Sequence, residues 1–159
     1  MVNSAARRLA AGALAGCVAT VFMSAVMLGA KRLGLMGELP PEKVTARFLD
    51  WTGWRSRPHR AQDLISAATH LGFGAAAGAV FAAVELRSRP PGPALPSGIL
   101  FGAAVWLISY QGWIPALEIM PPPHRDRPGR APSMFAAHLV YGAVLGALVA
   151  RFSGAPRHG

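Results

Sequence analysis

The chain has 159 residues, enough for one domain, with 52% apolar residues, only 14% charged ones and a formal net charge of +9. That balance is too apolar for a soluble domain of this size. The basic excess does not point to nucleic acid, because its cations (Arg7-Arg8, Lys31-Arg32, Arg87 and Arg89, Arg125 to Arg130, Arg151) sit at the ends of apolar blocks. Cations so placed meet anionic lipid headgroups.

Four stretches carry no Asp, Glu, Lys or Arg: Leu9–Ala30, Leu64–Val84, Pro90–Leu117 and Ala131–Ala150. A helix of ~20 such residues crosses a hydrocarbon core of ~30 Å, so each is long enough to span. The expected fold is an all-α integral membrane protein. It forms a four-transmembrane-helix bundle over residues 1–159, with helices at about 9–30, 64–84, 97–120 and 134–152.

In the first helix, Leu14-Ala15-Gly16-Cys17 matches a lipoprotein cleavage box after a basic start. A signal peptide ends after an apolar region of ~7–15 residues, whereas here the apolar run continues to Ala30. The segment is therefore read as a retained helix. A lone cysteine excludes an intrachain disulfide and a cysteine zinc site.

The segment from Lys31 to Asp63 is the only sizeable polar one. Pro40-Pro41-Glu42 predicts a short helix over about 41–52, with proline in its first turn, an acid near its N-terminus and Gly53 to end it. Val44, Phe48 and Trp51 share one face, and Trp51 and Trp54 suit the headgroup layer. The helix lies on the membrane surface or packs on the bundle end.

The second helix contains His70-Leu-Gly-Phe-Gly-Ala-Ala-Ala-Gly-Ala79, and the fourth contains His138-Leu-Val-Tyr-Gly-Ala-Val-Leu-Gly-Ala147. Gly12 to Gly16 is echoed by Gly98 to Gly102, and a proline pair follows each of those helices. The chain thus reads as two tandem helical hairpins related by a pseudo-twofold axis along the membrane normal. Each helix carries a GxxxG pair: Gly12/Gly16, Gly74/Gly78, Gly98/Gly102 and Gly142/Gly146. In lipid no hydrophobic force joins helices, so small residues one turn apart are expected to hold the bundle by close backbone contact.

His70 and His138 enter their apolar segments from the side that holds the longer loops, where Asp63 and Glu118 also lie. Ionisable residues at membrane depth are costly and face the bundle interior, so these four are candidate site residues. Tyr110 and Gln111 join them. Three readings remain open. The imidazoles bond across helices to Ser24, Thr20, Tyr110 or a backbone carbonyl and fix register. They respond to protons or pass them on, since imidazole titrates near neutral pH. Or they hold a b-type haem or a metal, the latter needing Glu118 or Asp63 as well. Pro115 removes the bond to the Gln111 carbonyl, which predicts a bend there with Gln111 turned toward protein or a water-filled pocket. Ser133 is read as the N-cap of the fourth helix.

No nucleophile–base pair, phosphate loop or carboxylate run supports an enzyme. The lipid bilayer is the first expected partner; the glycine seams leave a homo-oligomer or another membrane protein as the next, and no nucleic acid is expected. The positive-inside rule does not decide orientation, although Arg7-Arg8 ahead of the first helix points both termini to the cytoplasm.

Gly98-x-Leu-x-Gly102-Ala, Pro115-Ala-Leu, the proline cluster from Pro121, and Ser133-x-Phe135-x-x-His138-Leu-Val-Tyr141 are similar to the C-terminal part of YagU-type bacterial inner-membrane proteins. The resemblance covers helices three and four and extends loosely to His70-Leu. It implies a bacterial cytoplasmic membrane protein and carries no catalytic residue.

Overall fold

The computed structural model describes residues 4–54, 58–87 and 94–154. Arg89, Arg157 and the prolines Pro90 and Pro91 of the expected linker lie outside them. The elements are helices α1 (Ser4–Arg32), α2 (Pro40–Trp51), α3 (His59–Arg87) and α4 (Ala94–Trp106), a π-helical segment Leu107–Trp113 continued by α5 (Ile114–Ala116), a 3₁₀ turn Pro123–Arg125, and α6 (Arg130–Gly154). No strand occurs among the described residues.

Four helical crossings are long and apolar enough to span a membrane: Ser4–Arg32, His59–Glu85, Ala94–Ala116 and Arg130–Phe152. Their surface is apolar as well. Leu14, Phe22, Leu64, Leu100 and Ile108 are all more than half exposed, an arrangement that suits lipid rather than water. The first, second and fourth helices run past the charge-free stretches, because lysine and arginine at helix ends reach the headgroup layer without breaking the backbone ladder. The third stops at Ala116, short of the expected Met120.

Three helices end with the same cap. After α1, Gly34 has φ +75°, and Leu35 N–H donates to the Ala30 carbonyl at 3.0 Å. After α2, Gly53 has φ +72°, and Trp54 N–H donates to the Leu49 carbonyl at 2.8 Å. After α5 the left-handed residue is Glu118, φ +55°, and Ile119 N–H donates to the Ile114 carbonyl at 3.1 Å. These are Schellman caps, which satisfy carbonyls that the helix leaves open. A glutamate in that position carries a Cβ penalty that glycine avoids.

α1 packs along α3, α6 packs along α4, and α1 lies against α6. A Cβ added at Gly16 would meet the Gly74 carbonyl, and one at Gly78 the Gly12 carbonyl and the Gly16 backbone. In the other pair, a Cβ at Gly98 would meet the Gly142 carbonyl and the Gly146 backbone, and one at Gly102 the His138 carbonyl. Backbone meets backbone in both pairs, so a larger residue has no flexible neighbour to displace. Gly146 carries the contact one turn further. A Cβ there would meet the Ala94 carbonyl and the Leu95 backbone, one turn before Gly98. The close contact of α6 with α4 therefore runs past the Gly98/Gly102 pair, because alanine is also small enough to let the backbones approach. No comparable backbone packing joins α3 to α4 among the described residues. That side of the bundle is bridged by rings: Phe81 to Phe101 with centroids 5.3 Å apart, and Phe73 to Trp113 at 6.5 Å.

The third crossing is distorted as Pro115 predicts, but in another form and further back. From Leu107 the turns widen to π geometry, with Ile114 N–H bonded to the Ser109 carbonyl, and α-type bonding returns at Leu117 N–H to Trp113 carbonyl, 3.0 Å. π turns hold one extra residue per turn and so absorb a missing donor by re-pairing. Gln111 is exposed on the outer face and does not line the chamber, which corrects the expectation that it turns toward protein or a water-filled pocket. Ser133 is not an N-cap either. α6 starts at Arg130, and the Ser133 hydroxyl donates back to the Gly129 carbonyl at 2.7 Å.

α2 caps the loop end of the bundle. Its N-terminus is held by Glu42, whose carboxylate accepts from Leu39 N–H at 2.9 Å and pairs with Lys31 at 3.3 Å. Thr45 and Leu49 are buried against the bundle, whereas Phe48 and Trp51 are exposed.

Candidate functional site

Where α3 and α4 stand apart, a cavity of about 250 Å³ opens inside the bundle. α1 contributes Thr20, Met23 and Met27; α3 contributes Thr69, His70, Phe73, Gly74 and Ala77. Val105, Ser109, Trp113 and Ile114 come from the third crossing, and Met134, His138 and Tyr141 from α6. Pro40, Pro41 and Val44 of α2 close the loop end. Every long helix therefore reaches one chamber, and both sequence-selected histidines line it.

The hydroxyls on its wall are already committed. Thr20 donates to the Gly16 carbonyl at 2.8 Å, Thr69 to Ile65 at 2.8 Å, and Ser109 to Val105 at 2.7 Å. Tyr141, 3% exposed, donates across the bundle to the Gly74 carbonyl at 2.8 Å. Each hydroxyl thus satisfies itself against backbone, as buried polar groups must. The histidines differ. His138 Nδ1 lies 2.8 Å from the carbonyl of Met134 in its own helix, and a carbonyl can only accept. Nδ1 therefore carries a hydrogen, and His138 Nε2 is the nitrogen left for other work. His70 Nε2 is buried with no hydrogen-bond partner. An unpaired buried polar atom costs about 1–3 kcal/mol, so a partner for it would be worth a comparable amount. Neither ring uses Ser24, Thr20 or Tyr110.

Tyr141→Phe removes only the bond to Gly74. The expected loss is about 1 kcal/mol of stability, the usual net value of one such bond. Reversible unfolding in mixed detergent measures it, and an unchanged stability would show that the α3–α6 contact does not depend on this hydroxyl.

The other sequence-selected residues lie elsewhere. Asp63 is exposed just past the first turn of α3. Glu118 is 86% exposed at its side chain, forms the left-handed cap after α5, and lies 3.9 Å from Arg47. Both acids were placed with the histidines because they share a membrane side; both side chains are exposed, and neither lines the chamber. Tyr110 is fully buried but faces away from the imidazoles, donating to Asp126 Oδ2 at 2.7 Å. The other Asp126 oxygen accepts from Arg130 at 2.7 Å and from Arg127 N–H at 2.7 Å. Burial raises the Asp126 pKa, but these three donors outweigh it and hold the carboxyl below its usual range. This cluster clips the loop before α6 onto the third crossing. Sequence reasoning missed it, although Asp126 and Arg130 four residues apart are a readable signal.

Among the described residues no group of three or more His, Cys, Asp or Glu is placed to hold a metal ion. Cys17 lies within α1, its thiol 3.7 Å from the Leu71 carbonyl.

Comparison with known proteins adds a family. Residues 6–159 match a family described as a family of unknown function, DUF6789. The chain belongs to that family. Since the match takes in all the helices, the chamber is contained within one DUF6789 unit. No curated protein and no solved structure matches. The resemblance to YagU-type proteins gains no support from these comparisons.

Proposed function

We propose that this DUF6789 protein spans a bacterial cytoplasmic membrane as two similar helical hairpins and binds a small, largely apolar molecule in its histidine-lined chamber. The observation that carries the reading is the chamber itself: an apolar-walled space at membrane depth, holding two imidazoles whose outer nitrogens the protein does not use. Binding sites of this kind pair apolar walls with a few placed polar groups. The separation of α3 from α4 supports entry from the bilayer, between the Phe81–Phe101 and Phe73–Trp113 ring pairs. The like glycine contacts of α1 with α3 and of α4 with α6 support the hairpin repeat.

The proton-passing reading draws less support. Beyond the histidines, toward the end away from α2, Tyr141 has its hydrogen committed to the Gly74 carbonyl, and the described interior continues with Ala77, Val105 and the phenylalanine pair. A mononuclear metal would lack the carboxylate that Asp63 or Glu118 was expected to supply. A haem would have to fit a chamber of about 250 Å³, below the ~300–1,000 Å³ usual for pockets that take drug-sized ligands.

Propylbenzene binding to protein in nanodiscs, corrected for empty discs, tests the proposal. Saturable binding at one site per chain is expected. Ala77→Phe should abolish it by filling the chamber, while Val80→Phe, on the lipid-exposed face, should leave it intact. No saturable binding in the native protein, or equal binding by both variants, overturns the reading.

A further inference from the structure

We infer that the occupant of the chamber carries a hydroxyl group on a single aromatic ring, the hydroxyl lying between His138 and His70; the inference rests on the binding role proposed above. The hydroxyls of Thr20, Thr69, Ser109 and Tyr141 all spend their hydrogens on backbone carbonyls. Those hydroxyls can then only accept, so among the chamber's hydroxyl and histidine groups a donor remains only on imidazole, at His70. With Nδ1–H given to the Met134 carbonyl, the neutral His138 ring presents Nε2 as a lone-pair acceptor. A ligand must answer it with a donor. His70 Nε2, buried and unpartnered, is served by an acceptor when that nitrogen bears the hydrogen. A hydroxyl is both at once: its hydrogen goes to His138 and its oxygen accepts from His70. An ether or a carbonyl leaves His138 Nε2 unanswered, and a hydrocarbon leaves both.

Size and wall chemistry supply the ring. An apolar cavity of ~150 Å³ holds one benzene, so the volume of about 250 Å³ takes one ring with a short substituent and not a fused system. Met23, Met27 and Met134 put three thioethers on the wall, with Phe73 and Trp113 beside them. Sulfur–aromatic and ring–ring contacts both favour an aromatic occupant over a saturated one of equal volume.

The experiment compares 4-propylphenol, its methyl ether, propylbenzene and 4-propylcyclohexanol on the native protein in nanodiscs, each corrected for partition into empty discs. The phenol should bind roughly tenfold more tightly than the ether, the value of one buried hydrogen bond, and more tightly than the cyclohexanol. In His138→Phe the phenol-to-ether ratio should fall to about one, since ring volume is kept and the acceptor is lost. Equal binding of phenol and ether to the native protein overturns the hydroxyl assignment and leaves the apolar chamber standing. Equal binding of phenol and cyclohexanol overturns the aromatic assignment. Failure of all four, propylbenzene included, removes the binding role itself. The native-protein comparisons decide the matter even if the variant does not fold.

Discussion

Asp126→Ala should destabilise the folded protein by about 3–5 kcal/mol, the cost of leaving one member of a buried ion pair uncompensated. The Asp126 side chain is 2% exposed and that of Arg130 6%. Removing the carboxylate strands the guanidinium and the Tyr110 hydroxyl together, and Arg130 Nε already lacks a partner. Glu38→Ala is the control. Its pair with Lys43, 2.8 Å long, leaves the glutamate side chain 71% exposed, and exposed pairs contribute little. Unfolding of both variants in mixed detergent gives the comparison, and losses of similar size would show that the buried cluster is not what holds the loop. The same carboxylate sets a pH dependence. Its pKa is lower in the folded chain than in the unfolded one. The unfolded chain therefore binds the proton first as pH falls, and the contribution is complete above the ordinary carboxylate range. It is lost only as pH drops below that range, through the folded-state value.

Gly78→Leu should force α1 and α3 apart at a cost on the order of 1–3 kcal/mol or more, as overpacking without room to relax does. A Cβ at Gly78 meets the backbone of Gly12 and Gly16, whereas one at Gly72, on the same helix, meets nothing within 4 Å. Gly72→Leu should therefore be nearly neutral in the same unfolding assay. If both leucines cost the same, the effect belongs to helix α3 and not to its contact with α1.

How much of this could be read from sequence follows from what each feature depends on. The long helices were legible because hydrocarbon tolerates no stray charge, so the absence of Asp, Glu, Lys and Arg marks them directly. Their ends were less so, because Arg7, Arg8, Lys31 and Arg32 stay helical while leaving the apolar core. The glycine spacing marked the close helix contacts, but not that Gly146 would reach Ala94, since a spacing names one helix and not its partner's register. His70 and His138 stood out through the matching segments around them, and both reach the chamber. Asp63 and Glu118 could not be sorted from them by depth alone. At Glu118 the chain takes a left-handed turn that sequence associates with glycine. Pro115 announced trouble in its helix but not the remedy, since whether a freed carbonyl kinks a helix or widens it depends on neighbours the local sequence does not name. The Tyr110–Asp126 bond spans a loop, and no periodicity connects residues across one.

The π segment has a geometric consequence for that third crossing. Along an α-helix, positions four apart creep round the axis by about 40° per step. A straight α-helix that offered Gly98 and Gly102 to α6 would therefore carry later positions of the same series steadily off that side. From Leu107 to Trp113 the wider turns wind the series back. Tyr110 and Ile114, later members of that series, are both buried, and Ile114 lines the chamber. One helix thereby keeps a single inward stripe in phase along its whole crossing, glycine against α6 at one end and cavity lining at the other.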